Sequence, residues 1–319
     1  MGKIAFVFPG QGAQYVGMGK AFAEQSESAK AVFERAGKSL DLDMSALCFD
    51  SSEEALQKTE NTQPSILTVS YAIYTAVKEK LGLEADAFAG LSLGEYTALV
   101  AAEAMNFEDA VRIVRKRGQY MQEEVPVGKG GMAALLGVER DDVLKVCEEA
   151  SVFGICEPAN FNCPKQVVVA GEIDAVKQAI EISKRYGAKK AVLLPVSAPF
   201  HTSMLLGAGE KLRQEMLKYS FKPAVHPVYS NVTGDRLDPE TDVRENLVKQ
   251  VFNSVLWEDC VASMVRDGIT TFIEVGPGNA LTKFIRKIDK DVQVYNVENP
   301  EDLEVLAEKL KTGGGNADV

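Results

Sequence analysis

A parallel-sheet α/β fold carrying a small inserted domain is predicted by three features of the chain. The runs Ile4–Phe8 and Ala87–Leu91 are short, continuous and apolar, and both end in glycine-containing segments, as strands buried on both faces do. Helix-forming stretches lie between them, around Met18–Ser39 and Ser65–Leu81, so strand and helix alternate. From about Gly128 the texture changes to the order β-α-β-β-α-β, that of a ferredoxin-like unit.

Each element has a local reason. Asn61-Thr62-Gln63-Pro64 supplies a start signal for the second helix, and a further helix is expected from Glu95 to Ala102 and another over Phe107–Glu123. In the insert, Met132–Val138, Phe153–Phe161, Gln166–Gly171 and Lys190–Val196 read as strands, and Asp141–Ala150 and Asp174–Tyr186 as helices. Gly128-Lys129-Gly130-Gly131 and Pro195 read as its hinges, which sets the core at residues 1–127 and 197–311 and the insert at 128–196. After the return come a helix (Thr202–Tyr219), an extended segment (Val225–Asn231), a helix (Asp242–Asn253) and a strand (Thr271–Val275) that runs into Gly276-Pro277-Gly278-Asn279 and another helix. Asn299, Pro300, Glu301 and Asp302 signal a final helix, and residues 312–319, with three consecutive glycines, read as a disordered tail.

Composition narrows the class. The chain has 319 residues, 46% hydrophobic and 25% charged, and no apolar run approaches the roughly 20 residues that span a bilayer. Its net charge of −11 argues against nucleic acid or an anionic membrane as partner. Five scattered cysteines without Cys-x-x-Cys spacing read as reduced core thiols of a cytoplasmic protein, and with only two histidines a zinc site is not expected. An acidic partner would have to meet a local basic patch, either Lys189 with Lys190 or Lys283, Arg286, Lys287 and Lys290; a plain solvated face is the alternative for both.

The chemistry centres on Gly90-Leu91-Ser92-Leu93-Gly94. A serine flanked by glycines between strand and helix has the spacing of a nucleophile elbow, where a sharp turn pushes the hydroxyl out beside a helix N-terminus. Such a serine points to acyl transfer if a base serves it, and is a plain turn residue if none does. His226 precedes Pro227 in an extended stretch and reads as structural. His201 lies where a loop turns into a helix, whose N-terminus disfavours a cation and so favours a neutral, proton-accepting ring. No acid stands at an evident strand end, so a Ser-His dyad is expected, its imidazole oriented by an amide or a carbonyl.

Pro9-Gly10-Gln11-Gly12-Ala13-Gln14 begins like a dinucleotide fingerprint, but Tyr15 occupies the place of the third glycine. Its expected task is instead an oxyanion hole, with backbone N–H groups of Gln11 and Leu93 as donors. On the helix Phe107–Glu123, Arg117 sits at the edge of the apolar arc, beside Ala110 and Met121. A guanidinium there needs an anion, which is either an internal carboxylate or the carboxylate of a substrate.

Taken together the motifs resemble the malonyl-CoA:acyl carrier protein transacylases. The matching pieces are Phe8–Gln14, Gly90–Tyr96, Arg117–Gln122, Asn160-Phe161-Asn162, Ala198–His201, Ser230–Gly234 and Glu274–Gly278, in that family's order over nearly the whole chain. The resemblance implies a hydrolase-like core with a ferredoxin-like insert, Ser92 as acylated nucleophile, His201 as base and Gln250 as its orienting carbonyl. It further implies Arg117 on the malonyl carboxylate, Gln11 and Leu93 as the oxyanion hole, and Met121, Asn160, Asn162 and Phe200 about the substrate. Phe200 matches forms selective for malonyl, its ring crowding a methyl branch. Leu91 departs from the histidine common before the nucleophile, and altered packing with retained chemistry is expected. The resemblance implies no resident cofactor, CoA thioester being substrate, and a cytoplasmic monomer whose partner is an acidic carrier protein. A loading acyltransferase of a polyketide or polyunsaturated-lipid pathway and a serine esterase or thioesterase are the alternative activities.

Overall fold

The computed structural model describes residues 2–196 and 198–311; the tail expected at 312–319 lies outside them. Contacts group the chain into two units, one of residues 2–115, 221–229 and 264–311, the other of residues 116–196, 198–220 and 230–263.

In the first unit the strand Lys3–Phe8, buried from Ile4 onward, lies at the centre of a parallel sheet. Ile269–Val275 and then Gln293–Val297 follow on one side, Ala87–Gly90 and then Val228–Ser230 on the other. The pairing sets Phe8 opposite Gly90 and Val7 opposite Glu274, so three loops emerge at one edge: after Phe8, after Gly90 and after Val275. The helix Thr59–Leu81 covers the sheet, its Tyr74 ring meeting Phe6, Phe8 and Phe88 edge-on at 5.3, 5.9 and 5.8 Å.

The second unit holds a four-stranded antiparallel sheet in the order Cys156–Cys163, Gln166–Glu172, Gly130–Leu136, Lys190–Leu193. Helices Arg140–Ala150 and Ile173–Ser183 pack on it through Val143, Val146, Ala175, Val176 and Ala179, completing the β-α-β-β-α-β unit. The contact grouping is wider than this segment, since helices Leu206–Met216 and Val243–Phe252 fall in the same unit.

Several elements differ from expectation in their bounds. The stretch Met18–Ser39 is two helices, Lys20–Gln25 and Glu27–Leu40, because Ser26 is extended and its hydroxyl caps the second by accepting from Ala29 N at 3.2 Å. The long helix starts at Thr59 rather than near Pro64, which it contains. The strand expected from Phe153 begins at Cys156, since Ser151–Phe153 forms a 3-10 turn and Gly154 has φ 131°. Thr202–Tyr219 is a 3-10 turn, Ser203–Leu205, followed by the helix Leu206–Met216. The sequence reading does not anticipate the short helices Met44–Phe49 and Glu53–Gln57, the strand Asp235–Arg236, the helix Trp257–Arg266 or the strand Gln293–Val297, whose polar Gln293 and Asn296 break up its apolar run. No helix among the described residues is long and apolar enough to cross a membrane.

Candidate active site

Ser92 has φ 53° and ψ −104°, a conformation L-residues rarely adopt, between the strand Ala87–Gly90 and the helix Leu93–Ala101. Strain of this kind costs on the order of 1–3 kcal/mol and persists only where the surroundings enforce it. Here backbone contact enforces it. A Cβ on Gly90 would lie 1.9 Å from the carbonyl carbon of Gly94, and one on Gly94 would lie 2.1 Å from the Phe8 oxygen. Only glycine fits at either place, so the chain must pass directly from strand to helix at Ser92.

The Gly10-x-Gly12 loop has the same explanation. A Cβ on Gly10 would sit 2.4 Å from the Leu91 oxygen, and Leu91 N donates to Phe8 O at 3.1 Å. Gly10 is thus required by close approach to the elbow, not by a nucleotide. The Leu91 side chain, half-buried, lies against Gly10, its Cδ2 only 3.1 Å from where a Cβ would stand. Leu93 opens the helix, so its N–H is one of those without a partner inside the helix, and Gln11 follows directly on Gly10. Gln14 Oε1 steadies the loop by accepting from Gly12 N at 2.7 Å.

In the second unit, His201 is buried and also at positive φ, 62°. Its Nδ1 is 2.8 Å from the backbone oxygen of Gln250. A carbonyl only accepts, so Nδ1 carries the proton and Nε2 keeps a lone pair. The side chain of the same Gln250 faces the other way, its Oε1 accepting from Nη2 of the buried Arg117 at 3.0 Å. Gln250 therefore joins base and guanidinium through its two carbonyls. That bond gives the core-edge arginine one neutral partner. Burial first, and then the Arg117 charge, push the His201 pKa down to about 3, against hydrogen bonds to the backbone of Gln250 and Asn253 that raise it. The ring is neutral at physiological pH.

Met121 is buried one turn along the helix from Arg117. Asn160 and Asn162 are buried two apart on the strand Cys156–Cys163, where Asn160 bridges Val255. Phe200 is buried immediately before His201. The structure thus joins Arg117, Gln250 and His201 by hydrogen bonds, whereas Asn160, Asn162 and Phe200 share their unit. His226 belongs to the first unit, its ring edge-on to Phe88 at 5.9 Å, in keeping with a structural part.

Beside His201 opens a cleft of about 350 Å³, lined by Glu157 and Pro158 of the strand, by Ser203, and by Phe252, Asn253 and Ser254. Glu157 and Ser203 had no place in the sequence reading. No spacing rule links residues 46 apart, and only the fold sets the Glu157 carboxylate 2.7 Å from Ser203 N and 2.6 Å from Ser203 Oγ.

The first unit thus holds a strained serine elbow and the second a neutral histidine held by a carbonyl, and comparison with known proteins gives the class, an acyl transferase. The family model of the acyl transferase domain matches residues 5–312. A malonyl CoA-acyl carrier protein transacylase of Bacillus subtilis is 42% identical over 99% of this chain and 100% of that one. The crystal structure of the transacylase of that name from Clostridium perfringens superposes with TM-score 0.94 at 47% identity, over 97% of this chain and 98% of the other. A second structure, at 36% identity and TM-score 0.91 over 96% and 99%, holds a type II PKS acyl-carrier protein in complex with its malonyl-transacylase. The chain belongs to the acyl transferase family and, within it, to the malonyl CoA-acyl carrier protein transacylases.

Proposed function

We propose that this protein transfers malonyl from malonyl-CoA to the phosphopantetheine thiol of an acyl carrier protein, for fatty acid synthesis, through a malonyl ester of Ser92. His201 Nε2 takes the Ser92 proton as Oγ bonds to the thioester carbon; the C–S bond then breaks and the CoA sulfur leaves with that proton. Gln11 and Leu93 N–H groups receive the oxyanion. The second half-reaction runs the same steps in reverse from the carrier thiol. No resident cofactor takes part, and we place the reaction in the cytoplasm with the enzyme as a monomer.

The observation that carries this reading is the attachment of Arg117 and His201 to one residue, Gln250. The Arg117 charge depresses the basicity of His201. A malonyl carboxylate paired with Arg117 would offset that charge, so the anionic substrate itself restores the base. Met121, Asn160, Asn162 and Phe200 are assigned to shaping the acyl pocket. The carrier protein, acidic by this proposal, docks on Lys189 and Lys190 or on Lys283, Arg286 and Lys287 of the helix Ala280–Ile288 with Lys290 just beyond it.

Arg117→Ala should lower malonyl transfer roughly 100-fold while slow acetyl transfer changes less than about 3-fold, because a carboxylate left without its fork loses most of its recognition. Equal losses with malonyl-CoA and acetyl-CoA would sink the clamp. The complex with a type II PKS acyl-carrier protein gives the polyketide-loading alternative its support. Turnover with a fatty-acid and a polyketide carrier protein side by side decides between them.

A further inference from the structure

His201 is not glycine, yet it sits at φ 62°, a conformation that something must hold. On one side the turn is closed by Thr202, whose Oγ1 donates to Pro199 O at 2.7 Å. On the other side comes Ser203, first residue of the helical stretch that continues to Met216, and Thr202 before it makes no side-chain cap. Glu157, far away in sequence, does that work. Its Oε2 accepts from Ser203 N and its Oε1 from Ser203 Oγ, two charge-assisted bonds at a helix start. The strand carrying Glu157 is itself tied to the segment after Gln250: Ser254 Oγ donates to Pro158 O at 2.5 Å, and Phe161 N to Val255 O at 2.9 Å. With His201 Nδ1 on Gln250 O, the strand, the histidine turn and the Gln250 segment form a closed ring of hydrogen bonds.

We infer that Glu157 is a positioning residue for His201: by clamping Ser203 it fixes the turn, and so the direction in which Nε2 points. Both of its oxygens are engaged by Ser203, so it acts through the turn rather than on the imidazole. The inference rests on the assignment of His201 as base.

The test measures the rate of Ser92 malonylation per reactive site, by rapid quench with malonyl-CoA and intact-protein mass, in Glu157→Ala, Glu157→Gln, Ser203→Ala and His201→Ala. Glu157→Ala should slow acylation about 10- to 100-fold with KM within about 2-fold, since a small misalignment of a base costs rate and not binding. Glu157→Gln should stay within about 3-fold of the parent, because its amide accepts from Ser203 N and donates to Ser203 Oγ. Ser203→Ala should lose about 3- to 10-fold, and adding it to Glu157→Ala should cost nothing more, the two acting as one clamp. Three results would overturn the inference: acylation at the parental rate in Glu157→Ala, a Glu157→Gln as slow as Glu157→Ala, or fewer reactive sites at a normal rate per site. If His201→Ala acylates at the parental rate, the base assignment itself fails, whatever the Glu157 variants do.

Discussion

Ser92 and His201 are both held at positive φ, but by opposite means. Around Ser92 the constraint is backbone against backbone: Gly90 on Gly94, Gly94 on Phe8, Gly10 on Leu91. Around His201 it is side chains gathered from afar, with Arg117 and Gln250 133 residues apart and Glu157 and Ser203 46 apart. A nucleophile needs exposure of one atom at a sharp turn, which glycines provide locally. A base needs a set tautomer, direction and proton affinity, which only side chains and carbonyls from several elements provide.

On the roles proposed for Ser92 and His201, the two separate most widely when the proposed reacting side chains are removed. Ser92→Ala should lower transfer by about 10⁴-fold or more and abolish the malonyl adduct in the intact-protein mass. His201→Ala should lose roughly 10²- to 10⁴-fold yet still accumulate adduct slowly, because the serine elbow and the backbone N–H groups proposed as oxyanion donors are untouched by the substitution. An adduct that persists in Ser92→Ala would place the nucleophile elsewhere and end the comparison.

This asymmetry also decided what could be read from the sequence. The elbow, its glycine-bounded strands and the Gly10 loop are local patterns, so Ser92, Gln11 and Leu93 could be nominated from spacing. Arg117 was visible too, as a charge at the edge of an apolar arc, and His201 stood out because the chain has only two histidines. Gln250 was not readable this way and came only by resemblance, since an orienting backbone carbonyl has no residue signature. Glu157 and Ser203 were invisible because the pairing of a strand with a distant turn is a property of the fold alone. The strand Gln293–Val297 escaped for a related reason: its polar positions hide the apolar run by which strands are recognised.

The modes of construction predict different costs for small changes. Gly94→Ala adds one methyl where backbone already lies 2.1 Å away, with no flexible side chain to yield. It should destabilise the fold by about 3 kcal/mol or more, read by chemical denaturation. Gln250→Ala keeps the carbonyl that orients His201 and loses the side-chain bond to Arg117. It should cost about 1–3 kcal/mol of stability, for the polar group left behind, and slow malonyl transfer more than acetyl transfer. A Gly94→Ala protein as stable as its parent would show that the elbow yields more than its contacts allow.

The smallest effect, and the one that compares the units by charge, is the pH dependence of stability. His201 is depressed to about 3 by burial and by Arg117, so between there and the ordinary histidine value the unfolded chain binds the extra proton. Stability from this group is complete above about pH 6.5 and falls as the solution is acidified toward pH 3. Glu274 in the first unit runs the other way. Burial raises it to about 7 although its carboxylate accepts from Leu281 N at 3.1 Å and Thr282 N at 2.7 Å. Here the folded chain binds the extra proton, so its contribution is complete below about pH 4.5 and is lost as pH rises through 7. Between pH 4.5 and 6.5 the two slopes oppose each other. Thermal melts across pH 4.5–7.5 should therefore show Glu274→Gln gaining stability with rising pH more steeply than the parent, and His201→Gln gaining it less steeply or losing it. The difference should amount to a few degrees in Tm for a chain of this size. Parallel curves for both variants and the parent would mean that neither group titrates as its surroundings dictate.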